Sequence, residues 1–219
     1  MCRCYVSPDG TSIEREFMIA QGLGQRAANF NTTPSQSVPA IRASRGASEA
    51  LLMIWGSGGK HGSFNVPIEG LATNAASRAP WKEGRRCIVP AMGFYEWHVD
   101  PGGSKQPYYI HLEDQDVFGF AGLWSRSRTG ANTVTEFCSL ITLPANSLMA
   151  EVDNARGRVP AILKGEQRHQ WLFGAAEAAA SALSAYADER MVAYAVSTRV
   201  DSPRNNDESL LEPLQTDVD

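Results

Sequence analysis

The sequence predicts an α+β fold: a single domain with a mostly antiparallel or mixed, barrel-like β-sheet core and a few peripheral helices. Three observations point there. The middle of the chain is a series of short apolar runs separated by turn residues. Helical patterns gather in the last third instead of alternating with the strands. The length of 219 residues suits one domain, and 43% hydrophobic with 20% charged residues is an ordinary mix for a packed core.

The first helix is expected over 12–22. Thr11 and Glu14 have capping-box spacing, Ile13, Phe17 and Ala20 share a face, and Gly22 and Gly24 can end it. Residues 50–55 form a short apolar strand, and the runs 87–97, 107–112, 117–124 and 134–143 continue the series. Turn chemistry separates them at Asp100–Ser104, Asp114–Asp116 and Arg128–Asn132. Residues 165–173 and the Ala-rich 175–189 read as helices, and 191–197 as a last strand. No repeat or long linker interrupts residues 1–219, of which 201–219 form an acidic C-terminal segment.

Composition excludes several classes. No apolar run approaches the roughly 18 residues that span a membrane, and the start lacks a signal-type apolar stretch. A reducing cytoplasm is therefore expected, with Cys2, Cys4, Cys87 and Cys138 as free thiols. The net charge of −4 argues against a generally basic nucleic-acid binder. Its distribution softens that objection. The acidic segment carries six acids against Arg204 alone, which leaves residues 1–200 at +1. Residues 78–86 (Arg78, Lys82, Arg85, Arg86 against Glu83) and 156–168 (Arg156, Arg158, Lys164, Arg168 against Glu166) are each locally +3. A solvated charged face would read the same way.

Cys2 is the most informative residue. Removal of Met1 would leave its thiol and a free α-amine on adjacent carbons, a 1,2-aminothiol that closes on an aldehyde as a thiazolidine. Both groups titrate near enough to neutrality to act as nucleophiles. A Cys-x-Cys metal pair would need further ligands, and the sequence places no histidine nearby. Glu96 lies inside the apolar run Gly93-Phe94-Tyr95-Glu96-Trp97. Aromatic neighbours would desolvate its carboxyl and fit it for acid–base work, although a strand-edge glutamate facing water is the plainer reading. Asn74, taken alone, is a turn residue just before the basic stretch.

Together these features resemble the SOS-response-associated peptidase (SRAP) family, whose members crosslink to abasic sites in single-stranded DNA. Met1-Cys2-Arg3-Cys4-Tyr5 stands where the family begins Met-Cys-Gly-Arg-Phe, and Asn29–Gln36 where it has Arg-Tyr-Asn-x-x-Pro-x-Gln. Asn74-Ala75-Ala76-Ser77-Arg78 partly matches Asn-Ala-Arg-x-Glu. The most specific block is Arg85–Trp97, followed by Gln106–Ile110, Ala121–Trp124, Thr142–Asn146, Arg158–Leu163 and the closing Val196-Ser197 and Asn205–Leu211.

The resemblance implies a mechanism. Cys2, freed of Met1, is the nucleophile; Asn74 orients its amine or the sugar; Glu96 shuttles protons. Arg156 occupies the position of the family's His, and an arginine does not carry protons near neutral pH. Arg3, Arg78, Arg85, Arg86 and Arg158 would hold phosphates of a single strand. No cofactor or metal is implied, the partner is single-stranded DNA with abasic sites, no membrane is involved, and a monomer in the cytoplasm, associated with the nucleoid, is expected. Two alternatives remain open at this level: a catalytically impaired single-strand-binding relative, and a thiol peptidase acting on other proteins, which would need a Cys–His pair.

Overall fold

The computed structural model describes residues 2–20, 23–56, 63–128 and 133–215. Its strands, in chain order, are β1 (Cys4–Ser7), β2 (Asn29–Thr32), β3 (Ser37–Ser44), β4 (Ala47–Trp55), β5 (Asn65–Pro67), β6 (Arg86–Ala91), β7 (Gly93–Val99), β8 (Lys105–Leu112), β9 (Phe118–Arg128), β10 (Val134–Pro144), β11 (Arg158–Pro160), β12 (Ile162–Leu163) and β13 (Met191–Ala195). The helices are α1 (Gly10–Glu16), α2 (Arg78–Lys82), α3 (Ser147–Val152), α4 (Gly165–Phe173) and α5 (Ala176–Ser181). None of these helices is long and apolar enough to cross a membrane.

The expected α+β, barrel-like architecture is what the pairing shows. β4 pairs with β3, β3 with β6, β6 with β9 and β9 with β10, all antiparallel, and β10 closes the ring on β4 in parallel at Phe137–Ile54 and Cys138–Trp55. A second sheet of five strands, ordered β13-β8-β7-β1-β2, packs against this barrel. Between them lies an aromatic core in which Tyr5 meets Trp55 and Phe120 edge to face, with ring centroids 5.2 and 5.9 Å apart.

The run expected as one strand over 87–97 is two. β6 belongs to the barrel and β7 to the second sheet, and the chain changes sheet at Met92, whose N–H donates to the Val6 carbonyl at 2.8 Å. Gly93 begins β7 opposite Val6, where a Cβ would lie 2.4 Å from the Tyr109 ring, so only glycine fits. The break left no polar mark in the sequence because β6 and the start of β7 are buried on both faces.

The helices are shorter than their patterns. Asp9, not Thr11, caps α1: its carboxylate accepts from Ser12 N at 2.9 Å, which starts the helix before Thr11. The helix ends at Glu16, six residues before the expected Gly22, which lies outside the described residues. The Ala-rich 175–189 yields only α5 and a 3-10 turn at Asp188–Arg190, because α5 buries a single side chain, Ala179. Of the expected Arg128–Asn132 turn, residues 129–132 lie outside the described residues.

The helical layer is fastened to the barrel by Arg86, which is 6% exposed. Its Nε donates to the Trp171 carbonyl and its Nη2 to the Gly174 carbonyl, at the C-terminal end of α4. Trp171 Nε1 returns a bond to the Cys87 carbonyl at 2.8 Å. Arg86→Met keeps the apolar stem but leaves two carbonyls without donors. It is expected to cost ~2–3 kcal/mol and to lower the melting temperature by about 5–10 °C; thermal denaturation checks this, and an unchanged midpoint would refute the clamp.

Candidate functional site

The site is built where β1 enters the second sheet. β1 is paired on both edges, with Cys4 opposite Tyr95 and Tyr5 opposite Phe94 on β7, and Tyr5 opposite Thr32 on β2. A strand so enclosed draws the residue before it inside, and Cys2 has no exposed surface. Its thiol donates to the Cys4 carbonyl at 3.6 Å. Its own carbonyl accepts from Asn65 Nδ2 at 2.6 Å. Asn65 stands at the start of β5, held in parallel register with Leu140 of β10. The amide oxygen Oδ1 of Asn65 is buried and accepts no hydrogen bond from the described residues.

Glu96 projects from β7 into the same interior and is fully buried. Desolvation pushes its carboxyl up to about 7; Asp153 adds to the rise, while the chain's amino terminus and Arg156 oppose it. Burial likewise holds the Cys2 thiol well above the ordinary range, reinforced by the charge of Glu96 and by Cys4 and partly offset by the amino terminus. At neutral pH Cys2 is thus a thiol beside a carboxyl poised between its two forms.

A cleft of about 300 Å³ opens beside Cys4, bordered by Arg3, Phe64, Trp97 and Asp201. The Arg3 guanidinium lies 5.6 Å from the Trp97 ring centre, and Trp97 Nε1 donates to Asp201 Oδ1 at 2.8 Å. Asn31 fixes the far wall: its Oδ1 accepts from Cys4 Sγ at 2.7 Å, and its Nδ2 faces the carbonyls of Val200, Ser202 and Asn205.

Of the residues singled out from sequence, Cys2 and Glu96 come together. Asn74 does not join them. It is exposed in the turn after the Ile68–Gly70 3-10 segment, its N–H on the Gly70 carbonyl at 2.9 Å. The asparagine at Cys2 is Asn65. Its signal was in the sequence: the motif Asn-Ala-Arg-x-Glu sets Asn and Glu four apart, as Asn65 and Glu69 are, whereas Asn74 has Arg78 there. The shared Ala75 drew the match to the wrong asparagine.

The arginines divide. Arg3 and Arg78 are exposed, and Arg85 is part-exposed, paired with Glu83 and lying 5.5 Å from the Trp124 ring centre. Arg86 is the interior clamp described above, which removes it from any phosphate surface. Arg158 is committed to Glu69 through Nη1 and Nη2 at 2.9 and 3.0 Å and to the Thr142 carbonyl at 2.7 Å. Arg156 is exposed, whereas Asp153, three residues earlier, is buried.

The described histidines are engaged elsewhere: His98 with the Glu151 carbonyl, His111 with the Leu112 carbonyl and the Tyr109 ring, His169 on Phe173. His61 lies outside the described residues. Among the described residues no cluster of three or more His, Cys, Asp or Glu side chains forms a metal site.

The sequence model of the SOS response associated peptidase (SRAP) family matches residues 1–203. The chain belongs to the SRAP family. Among its relatives, Abasic site processing protein YoqW of Bacillus subtilis (strain 168) is 33% identical to the SRAP chain over 215 residues, covering 91% of it and 93% of that protein. Abasic site processing protein HMCES of Gallus gallus is 29% identical over 177 residues, 70% of this chain and 51% of that one. A crystal structure from Bacteroides thetaiotaomicron matches with a TM-score of 0.75 at 27% identity over 85% of each chain. One from Bordetella bronchiseptica shares the fold with a TM-score of 0.79 at 24% identity, over 90% of this chain and all of that one.

The raised carboxyl of Glu96 sets a pH dependence of stability. A carboxyl that binds its proton more tightly when folded contributes stability below its unfolded pKa and loses it as pH rises towards about 7. Glu96→Gln removes this loss. Relative to the parent protein it should gain on the order of 2 kcal/mol between pH 5 and pH 8. Urea unfolding at the two pH values measures this, and an equal effect at both would contradict the raised pKa.

Proposed function

We propose that this protein captures abasic sites in single-stranded DNA by a covalent bond to Cys2, in line with the names of its SRAP relatives. The observation that carries the reading is the buried meeting of Cys2, Asn65 and Glu96. Once residue 1 is removed, Cys2 presents amine and thiol to the C1′ aldehyde of the opened sugar. The thiol is held protonated by burial, so the amine attacks first and sulfur closes the thiazolidine afterwards. Glu96, titrating near neutrality, delivers the proton that opens the sugar ring and receives the one that the amine gives up. Asn65 holds the Cys2 carbonyl, and its buried Oδ1, which accepts no hydrogen bond from the described residues, would accept from the amine or a sugar hydroxyl.

Arg3 and Arg78 present exposed guanidiniums that could meet phosphates, Arg85 would have to leave Glu83 to do so, and Phe64 and Trp97 offer rings beside the cleft. The peptidase of the family name fits a self-processing step that frees the Cys2 amine. A thiol peptidase acting on other proteins has less support, since no described histidine accompanies Cys2.

Incubation with an oligonucleotide carrying one abasic site, followed by intact-mass spectrometry, tests the reading. The parent protein should lose Met1 and gain the mass of the DNA. Cys2→Ala should form no heat-stable adduct, Asn65→Ala should slow its formation at least tenfold, and Glu96→Gln should slow it by roughly 10². Asn74→Ala and Cys4→Ala should crosslink nearly as the parent does. An adduct that persists in Cys2→Ala would overturn the proposal.

A further inference from the structure

Asn65 reaches the Cys2 carbonyl from a strand with little to hold it. β5 is three residues long, and among the described residues its ladder is with β10 alone, from Asn65 opposite Leu140 to Pro67 opposite Thr142. Its upstream end is fixed, because the Phe64 carbonyl accepts from Leu140 N at 2.9 Å and from Trp55 Nε1 at 3.0 Å. The downstream end is different. Thr142 lies in register between two prolines, Pro67 of β5 and Pro160 of β11. A proline has no N–H, so neither paired residue has one to offer the Thr142 carbonyl. Arg158 does, its Nη2 donating there at 2.7 Å. The same guanidinium grips Glu69, in the 3-10 turn Ile68–Gly70 that follows β5, through Nη1 to Oε1 at 2.9 Å and Nη2 to Oε2 at 3.0 Å.

We propose that Glu69 and Arg158 are positioning residues: their fork closes the downstream end of the β5–β10 ladder and so keeps Asn65 on the Cys2 carbonyl. The inference rests on the reading of Cys2 as the nucleophile with Asn65 at its side. The two side chains are 57% and 20% exposed, and an ion pair so wet adds little to the stability of the whole fold. What it adds is direction. A bidentate guanidinium–carboxylate pair fixes two planes against each other, and the third contact of Arg158 ties that pair to β10. The bond to Arg158 also holds the Glu69 carboxyl below the usual carboxylate range. Beyond Glu69 the turn is pinned in its own right, since the Gly70 carbonyl accepts from Asn74 N and from the buried Ser77 hydroxyl, both at 2.9 Å.

Asn65 has no slack to lose. It is 2% exposed, and its Nδ2 lies 2.6 Å from the Cys2 carbonyl. A lean of β5 about its β10 edge would carry the amide off Cys2 before it broke a strand bond. A shift of about an ångström in an orienting group can slow a reaction by up to ~10². No proton and no bond passes through Glu69 or Arg158, so both act through Asn65. A lysine at 158 would keep the charge but has no fork with which to hold Glu69 and Thr142 together. This use of Nη1 and Nη2 is also what draws Arg158 away from the phosphates that its place in a basic stretch suggests.

The test uses the full-length protein with ¹⁵N in its asparagine side chains. In the parent protein the Asn65 amide should exchange with solvent more slowly than those of exposed asparagines. Glu69→Ala should speed that exchange at least about tenfold. It should slow crosslinking at saturating abasic oligonucleotide by roughly three- to tenfold, no more than Asn65→Ala does, and change the affinity for an intact single strand by less than about twofold. Arg158→Lys should do the same, and Glu69→Gln, which keeps an acceptor for Arg158, should fall between Glu69→Ala and the parent. In the Asn65→Ala background, adding Glu69→Ala should slow crosslinking no further. A parent Asn65 amide that exchanges as exposed ones do overturns the proposal without any variant having to fold. So does an amide that Glu69→Ala leaves unchanged, or a further slowing on top of Asn65→Ala. Arg158→Lys that weakens strand binding and spares the amide overturns it too, and makes Arg158 a phosphate ligand. An amide loosened by Glu69→Ala, in a protein whose parent forms no adduct, supports the positioning and rejects the crosslinking function instead.

Discussion

The structure depends on one constraint: β1 is paired along both edges. A chain's opening residues usually fray, because nothing beyond them competes with water for their backbone groups. Here β7 takes one edge and β2 the other, and Tyr5 reaches through to Trp55 and Phe120 of the barrel. Burying a side chain of that size contributes roughly 2–3 kcal/mol. That contribution drags Cys2 out of water, and the chemistry of the site follows from the low dielectric into which it is drawn. The thiol stays neutral and the carboxyl of Glu96 titrates late.

The site is assembled from parts that are distant in the chain and rigid in different ways. Glu96 rides on a strand that continues directly from the barrel through the Met92–Gly93 step. Asn65 comes from a three-residue strand whose only pairing is with β10 among the described residues. A carboxyl on a strand and an amide on a short strand converge on one cysteine because the two sheets share one core.

Much of this was legible in the sequence, for reasons that can be stated. The apolar runs at 50–55, 107–112 and 134–143 fall inside strands and 117–124 overlaps β9 from Phe118 on, since short apolar runs bounded by turn residues mark strands. Residues 165–173 coincide with α4. What escaped were elements whose stability is tertiary. β1, β2 and β3 carry Cys, Ser, Asn and Thr, and are strands because of their neighbours. Cys2 and Glu96 were legible through the family resemblance, since each alone also fits an ordinary cysteine or a strand-edge glutamate. Asn65 was not, because one matching alanine beside Asn74 outweighed the Asn–Glu spacing. Arg86 and Arg158 read as phosphate ligands because a local charge count does not show that one guanidinium will cap a helix and the other will meet Glu69.

The enclosure of β1 also imposes an order of events during synthesis. Cys4 leaves the ribosome first, but its partner Tyr95 follows about ninety residues later. Until then β1 has only β2 to lean on, and position 2 stays within reach of solvent and of processing enzymes. When β7 arrives, the strand is sealed on its second edge and Cys2 loses its exposure. Removal of Met1 by another enzyme, which the proposed crosslink requires, would have to precede this closure, and a chain that folds unprocessed would have to complete the cleavage from inside. For the same reason a tag added ahead of Cys2 would have to leave through the interior into which Cys2 is drawn.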